Sequence, residues 1–247
     1  MKRLVVLRRS FQAVSFAIFA ATFLAALNYS KGLIPPGILF RIDPLITLVM
    51  SIAGRSVAPG VFVSAFMLVF AVVSGRLFCG WMCPLGAMQD AIGFIIRKKP
   101  EKNIPFGAPG RAVKFFVLAA VLAITAIAGT GGAMIADPLV MMSNLITLNL
   151  ALPNALMLLA AAAPVFFVRR FWCRFLCPLG ALYAIPALAA PFRRVVAKGG
   201  CNSCGACYRD CRMGAIRKDA SYVKHECVLC MDCIYSCSTH ATRFGWR

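Results

Sequence analysis

Four stretches of the chain run without a charged side chain: Ser10 to Ser30, Ser56 to Gly75, Phe115 to Ala136, and Asn149 to Val168. Each is about 20 residues long, the length a helix needs to cross a hydrocarbon core of about 30 Å. Lipid offers no partners to backbone N–H and C=O groups, so an apolar run of this length spans as a helix. Hydrophobic residues make up 61% of the chain and charged residues only 14%, outside the usual balance of a soluble domain. The expected fold is mostly α, with a polytopic four-helix transmembrane domain.

The net charge of +19 is distributed to suit a bilayer rather than a nucleic acid. Lys2, Arg3, Arg8 and Arg9 precede the first span. Arg97, Lys98, Lys99 and Lys102 lie between the second and third, and Arg169, Arg170 and Arg174 follow the fourth. The first outer loop holds Lys31, Arg41 and Arg55, and the segment from Thr130 to Pro153 holds no Lys or Arg. Positive residues stay inside, so both termini are placed in the cytoplasm. A basic start before an apolar run also fits a cleaved signal peptide. The repeat described next gives the first span a counterpart and favours its retention.

At an offset of 94 residues the chain matches itself, carrying Asp43-Pro44-Leu45 onto Asp137-Pro138-Leu139 and Arg76 onto Arg170. The same offset lays FCGWMCPLGA from Phe78 on WCRFLCPLGA from Trp172. Each unit reads as span, short outer segment, span, and Cys-x3-Cys-Pro. An even number of spans gives both units one orientation, with a pseudo-twofold axis along the membrane normal. The outer segments Leu45 to Ala53 and Leu139 to Leu148 are too short to cross and are expected as interfacial or re-entrant helices. Asp43 and Asp137 are favoured as N-caps, with Pro at the first helical position, over a proton-transfer role.

From about residue 193 the composition turns polar, giving domains 1–192 and 193–247. The second contains Cys201-x2-Cys204-x2-Cys207-x3-Cys211 and then Cys227-x2-Cys230-x2-Cys233-x3-Cys237. This doubled spacing is that of an α+β bacterial-type ferredoxin with two [4Fe-4S] clusters, in which the fourth Cys of each run ligates the other cluster. The expected ligands are Cys201, Cys204, Cys207 and Cys237 for cluster one, and Cys227, Cys230, Cys233 and Cys211 for cluster two. The Pro that follows the fourth Cys in such ferredoxins is replaced by Arg212 and Ser238. Zinc sites use a different spacing. His225 and His240 read as surface or hydrogen-bonding residues rather than ligands.

All twelve cysteines fall on the expected cytoplasmic side, where thiols stay reduced and metal ligation is favoured over disulfides. Cys79, Cys83, Cys173 and Cys177 offer two ligands per repeat, enough for a third redox or metal centre if they converge. Redox-active thiols, a Cu(I) site, a zinc site and plain buried cysteines stay open as alternatives. Trp81 and Trp172 are read as interfacial residues, and Arg76 and Arg170 either anchor span ends or tune a nearby centre. The membrane half has no His and the chain no Cys-x2-Cys-His, so haem is excluded; a dinucleotide fingerprint and a P-loop are absent as well, which argues against NAD and ATP.

The paired CPLGA motifs and the doubled cysteine run resemble the NapH/NosR/MauN-type membrane polyferredoxins, bacterial proteins with four spans, two Cys-x3-Cys-Pro motifs and a cytoplasmic two-cluster ferredoxin. The resemblance implies a multi-pass protein of the bacterial inner membrane that passes electrons between quinol and partner redox proteins, as a quinol dehydrogenase component or a carrier. A cytoplasm-facing reductase for metal or cofactor maturation, copper for example, and a redox sensor are the alternatives.

Overall fold

The computed structural model describes residues 2–27, 39–55, 60–95, 108–129, 134, 136–148, 151–197 and 200–246. Lys31 and the basic stretch of Arg97, Lys98, Lys99 and Lys102 lie outside the described residues, as do positions 130–133, 135, 149 and 150 on either side of the second outer segment.

Helix α1 (Lys2–Leu27) contains no Gly or Pro and runs uninterrupted. It is followed by α2 (Pro44–Gly54), α3 (Val61–Ser74), α4 (Leu77–Trp81), α5 (Pro84–Ile95) and α6 (Ala108–Ala128). The second half repeats the order with α7 (Pro138–Ile146), α8 (Leu152–Ala162) and, after a π-helical turn at Trp172–Leu176, α9 (Pro178–Ala184). Among the described residues two helices are long and apolar enough to cross a membrane, Val5–Ala25 and Gly110–Ala128. Only 17% and 22% of these two windows is buried, so their apolar side chains face outward.

The other two expected spans are shorter than their apolar runs. Residues 56–59 lie outside the described residues, and α3 begins after Gly60, whose φ of +107° few other residues adopt. Helix α8 starts with Pro153 in its first turn and tightens at Pro164 into a 3₁₀ turn ending at Phe166. Helix α3 nevertheless presents bare apolar side chains, with Phe62 87%, Phe66 63% and Val69 61% exposed.

Helices α2 and α7 begin as expected. Asp43 Oδ1 accepts from Leu45 N at 2.7 Å, and Asp137 Oδ1 accepts from Leu139 N at 2.8 Å. Both helices are inserted into the core, where Leu45, Val49, Leu139 and Met142 join Phe19 and Phe23 of α1 and Leu118 and Val121 of α6.

The C-terminal segment closes with β1 (Phe192–Val196) antiparallel to β2 (Thr242–Trp246), Phe192 opposite Trp246 and Val196 opposite Thr242. Between them lie the short helices α10 (Ala206–Asp210) and α11 (Asp232–Tyr235). Two buried ion clusters fasten this segment to the helices. Glu226, fully buried, takes Arg76 Nη1 at 3.3 Å and the Lys114 ammonium. Asp90 of α5 takes Arg170 Nη2 at 2.6 Å and Arg212 Nη1 at 2.9 Å, while Asp232 takes Arg212 and Arg8.

A buried ion pair adds little against an apolar substitute, but removing one partner strands the other, at about 3–5 kcal/mol. Glu226→Ala is therefore expected to destabilise the docked segment by about that amount, read as a lower denaturation midpoint and earlier proteolysis within residues 192–246. Burial opposes the Asp90 carboxylate, but the guanidinium groups of Arg170 and Arg212 outweigh it and hold the group well below the usual carboxylate range. A depressed carboxylate stabilises fully above its unfolded pKa of about 3.9 and loses that contribution as pH falls through the folded value. The Asp90 contribution to docking is accordingly expected to be unchanged between about pH 8 and pH 5, checked by comparing the proteolysis of wild type and Asp90→Asn across that range.

Candidate metal centres

The two cysteine runs share one backbone device. Ser203 and Gly205 flank Cys204 with φ of +53° and +71°, and Leu229 and Met231 flank Cys230 with φ of +52° and +62°. Left-handed residues turn successive backbone N–H groups into concavities that hold anions. Three of these four residues are not glycine, and each such position costs about 1–3 kcal/mol unless its surroundings impose it. An anionic, sulfide-rich cluster is the group such a loop fits.

Cys211, Cys227, Cys230 and Cys233 line one cavity, with Met213, Ile216 and Val228 in its walls. These are the four residues expected together from the interleaved spacing. Burial pushes the Cys227 thiol up to about 12, so thiolates held there need compensating positive charge, which iron supplies. Cys201 and Cys204 are exposed, and Cys207 lies within electrostatic reach of both, with Arg194 Nη2 at 3.5 Å from its Sγ. Cys237 sits half-buried beside Thr239. His225 turns to Glu226 at 3.6 Å and His240 is exposed, and neither lines the cavity. Arg212 is paired with Asp90 and Asp232 and lies within electrostatic reach of Cys230.

The Cys-x3-Cys-Pro motifs fold alike. Cys83 N donates to Phe78 O at 3.0 Å and Cys177 N to Trp172 O at 2.9 Å, the widened turn of a π-type bond in both. Ala87 N and Ala181 N then return to Cys83 O and Cys177 O, opening α5 and α9 at the prolines. All four cysteines are buried, and each acts electrostatically on others across the two motifs. Burial pushes the Cys83, Cys173 and Cys177 thiols up, Cys173 to about 11.

Arginines cross between the motifs. Arg170 Nη1 donates to Cys79 O at 3.2 Å, and its Nη2 lies 3.6 Å from where a Cβ at Gly86 would stand. Arg76 Nη2 lies 2.7 Å from the corresponding position at Gly180. Gly180 thus makes room for the other repeat's arginine, whereas a Cβ at Gly86 would meet Arg170 at ordinary contact distance and crowd Cys79 O at 3.1 Å. Arg76 Nη2, Tyr183 Oη and Trp172 Nε1 are buried with no hydrogen-bond partner among the described residues. Donors left over beside four thiols suit an anionic centre. Among the described residues no three His, Cys, Asp or Glu side chains close on the spacing of a single metal ion.

Sequence reasoning missed the junction between the two sets. A Cβ on Gly80, inside the first motif, would collide with Val228 O, inside the Cys227–Cys230 loop. Trp81 Nε1 donates to Leu229 O at 3.0 Å in the same loop. At the matching place in the second motif, Arg174 lies so close under Gly214 that a Cβ there would strike its guanidinium. The readable signal was Gly80 standing opposite Arg174, the one difference that is not apolar for apolar between motifs sharing both cysteines and the Pro-Leu-Gly-Ala that follows. Both tryptophans are engaged within the protein: Trp81, half-buried, docks the loop, and Trp172 is buried, 4% exposed.

The profile of the family described as 4Fe-4S binding domain matches residues 57–103 and 150–195, the two segments that carry Cys-x3-Cys-Pro. The chain is 33% identical over 205 residues to the regulatory protein NosR of Pseudomonas aeruginosa, covering 79% of this chain and 26% of NosR. It is 25% identical to the ferredoxin-type protein NapH of Haemophilus influenzae, covering 89% of this chain and 80% of NapH. With the methylamine utilization ferredoxin-type protein MauN of Paracoccus denitrificans it shares 29% identity, over 83% of this chain and 74% of MauN. The chain belongs to the NapH/NosR/MauN type of polyferredoxin. It carries a ferredoxin-type 4Fe-4S domain, and it spans about a quarter of NosR but most of NapH and MauN. No solved structure matches it.

In this polyferredoxin Gly80→Ala is expected to push the Cys227–Cys230 loop outward at about 1–3 kcal/mol, the usual cost of overpacking. Gly93→Ala, where a Cβ meets nothing within 4 Å, is the matched control. Thermal denaturation of the two variants checks the difference.

Proposed function

We propose that the chain is a four-span inner-membrane electron conduit that connects the quinone pool to partner redox proteins on the cytoplasmic side. Residues 1–192 form the membrane domain, built from two tandem repeats with both termini inside. Residues 193–247 form the ferredoxin domain, which holds two [4Fe-4S] clusters on the ligand sets given above. Cys79, Cys83, Cys173 and Cys177 hold a third centre between the repeats. Clusters at these cysteines supply reversible one-electron transfer.

The observation that carries this reading is the contact of Gly80 and Trp81 with Val228 and Leu229, which sets the first Cys-x3-Cys-Pro motif directly against the second ferredoxin run. The exposed Cys201 and Cys204 lie in the other run, where a partner has access. Arg76 and Arg170 bring fixed positive charge to the quartet, which favours a centre in its more negative, reduced form. The family profile supports the third centre, because its two matches fall on the Cys-x3-Cys-Pro segments and carry the description 4Fe-4S binding. Four spans are supported by the outward apolar faces of α1, α3 and α6 and by the unbroken 94-residue offset.

Iron, sulfide and copper analysis with EPR of anaerobically purified protein tests the reading. More than about eight irons per chain are expected, the excess over two cubanes being lost in Cys79→Ser and Cys173→Ser. Those variants keep both ferredoxin signals but are no longer reduced by quinol. Normal quinol-dependent reduction in them, or copper bound in place of the extra iron, overturns it.

A further inference from the structure

Between α1 and α5, at the inner end of the first apolar run, a cleft of about 500 Å³ is walled by Phe16, Ala87, Met88, Ala91 and Phe94. Its mouth is open and largely apolar, with Phe94 68% exposed, Ala91 exposed on the same helix, and the Arg9 guanidinium lying over the Phe94 ring at 5.2 Å. Its polar end is a joined amide and carboxylate. Gln12 Nε2 donates to Asp90 Oδ2 at 3.2 Å and to Gly80 O at 2.9 Å. Both amide hydrogens are thereby used, which leaves the Gln12 oxygen as the group that can accept from a ligand. Gly80 is the residue after Cys79, so this end of the cleft is one hydrogen bond from the first cysteine motif.

An occupant has to be apolar over most of its length, carry an O–H for Gln12, and tolerate a fixed carboxylate. A lipid phosphate meets the last condition poorly, because Asp90 faces it and Arg8 and Arg212 are already paired with Asp90 and Asp232, which leaves only the rim residue Arg9, held over Phe94, of the cleft's arginines to meet it. A hydroxylated ring with an isoprenoid tail meets all three. We propose that this cleft is the quinol site, with Gln12 accepting from a ring hydroxyl and Asp90 acting as the positioning residue that holds the Gln12 amide. This rests on the conduit reading above and adds to it the place and residues of quinol binding.

The test uses the cluster-loaded full chain in phosphatidylcholine nanodiscs and a photoreactive azidoquinone with a short isoprenoid tail, the labelled peptides being mapped by mass spectrometry. Labelling is expected on α1 around Gln12 and on α5 around Ala91. Ala91→Phe fills an exposed wall and is expected to abolish labelling with the EPR of the ferredoxin clusters unchanged. Gln12→Leu is expected to weaken quinone binding about tenfold, the worth of one hydrogen bond. Labelling on other helices, full labelling of Ala91→Phe, or displacement by phosphatidylglycerol but not by excess quinone overturns the site. Quinol reducing the clusters equally in wild type and Ala91→Phe overturns the site while the conduit stands. Labelling as expected, with no reduction of the clusters by quinol, upholds the site and overturns the conduit.

Discussion

Two guanidinium groups buried at the meeting of the repeats are the constraint on which the rest of the molecule turns. Arg76 and Arg170 are 0% and 1% exposed. A charge in that position is tolerable only when paired and hydrogen-bonded. Each reaches over the glycine of the other repeat's CPLGA, so neither repeat supplies its own arginine's surroundings. The acids that answer them, Asp90 from α5 and Glu226 from the ferredoxin-type segment, come from two different parts of the chain. Satisfying these charges therefore joins the two repeats to each other and the C-terminal segment to both.

That joining has consequences for chemistry. The ferredoxin-type loop is pressed on the first motif at a residue without a side chain, where backbone meets backbone. A backbone contact of this kind would hold the proposed centres on its two sides at a constant separation and limit reorganisation when charge arrives. The same ion clusters leave Asp90 ionised, and it serves both Arg170 and the Gln12 amide at the floor of the cleft. Asp90 is thus shared by the docking interface and the proposed quinol site, which the sequence presents as an unremarked acid in an amphipathic helix.

Much of the candidate site was legible. The cysteine spacing marked Cys211 as a companion of Cys227, Cys230 and Cys233, and the structure brings those four to one cavity. The Asp-Pro pairs marked helix starts, and both aspartates cap as expected. These signals are local or arise from ligand counting, so they survive without a fold. The lengths of α3 and α8 were not legible in the same way, because apolar runs continue through Gly60, Pro153 and Pro164 while regular helix does not. Hydropathy reports solvent preference, and backbone geometry decides where a helix stops.

By itself the sequence determined the mostly helical class, the matched motifs, and the residue types able to hold iron, since each depends on composition, spacing or short-range periodicity. Only the tertiary structure decided which arginine answers which acid, why Gly80 and Trp81 differ from Arg174 and Phe175, and where a cleft opens beside Gln12. These are contacts between residues far apart in the chain, 150 positions for Arg76 with Glu226 and 224 for Arg8 with Asp232. No pattern in one segment encodes them, because the energy that selects them, the pairing of charges taken out of solvent, exists only after the segments have packed.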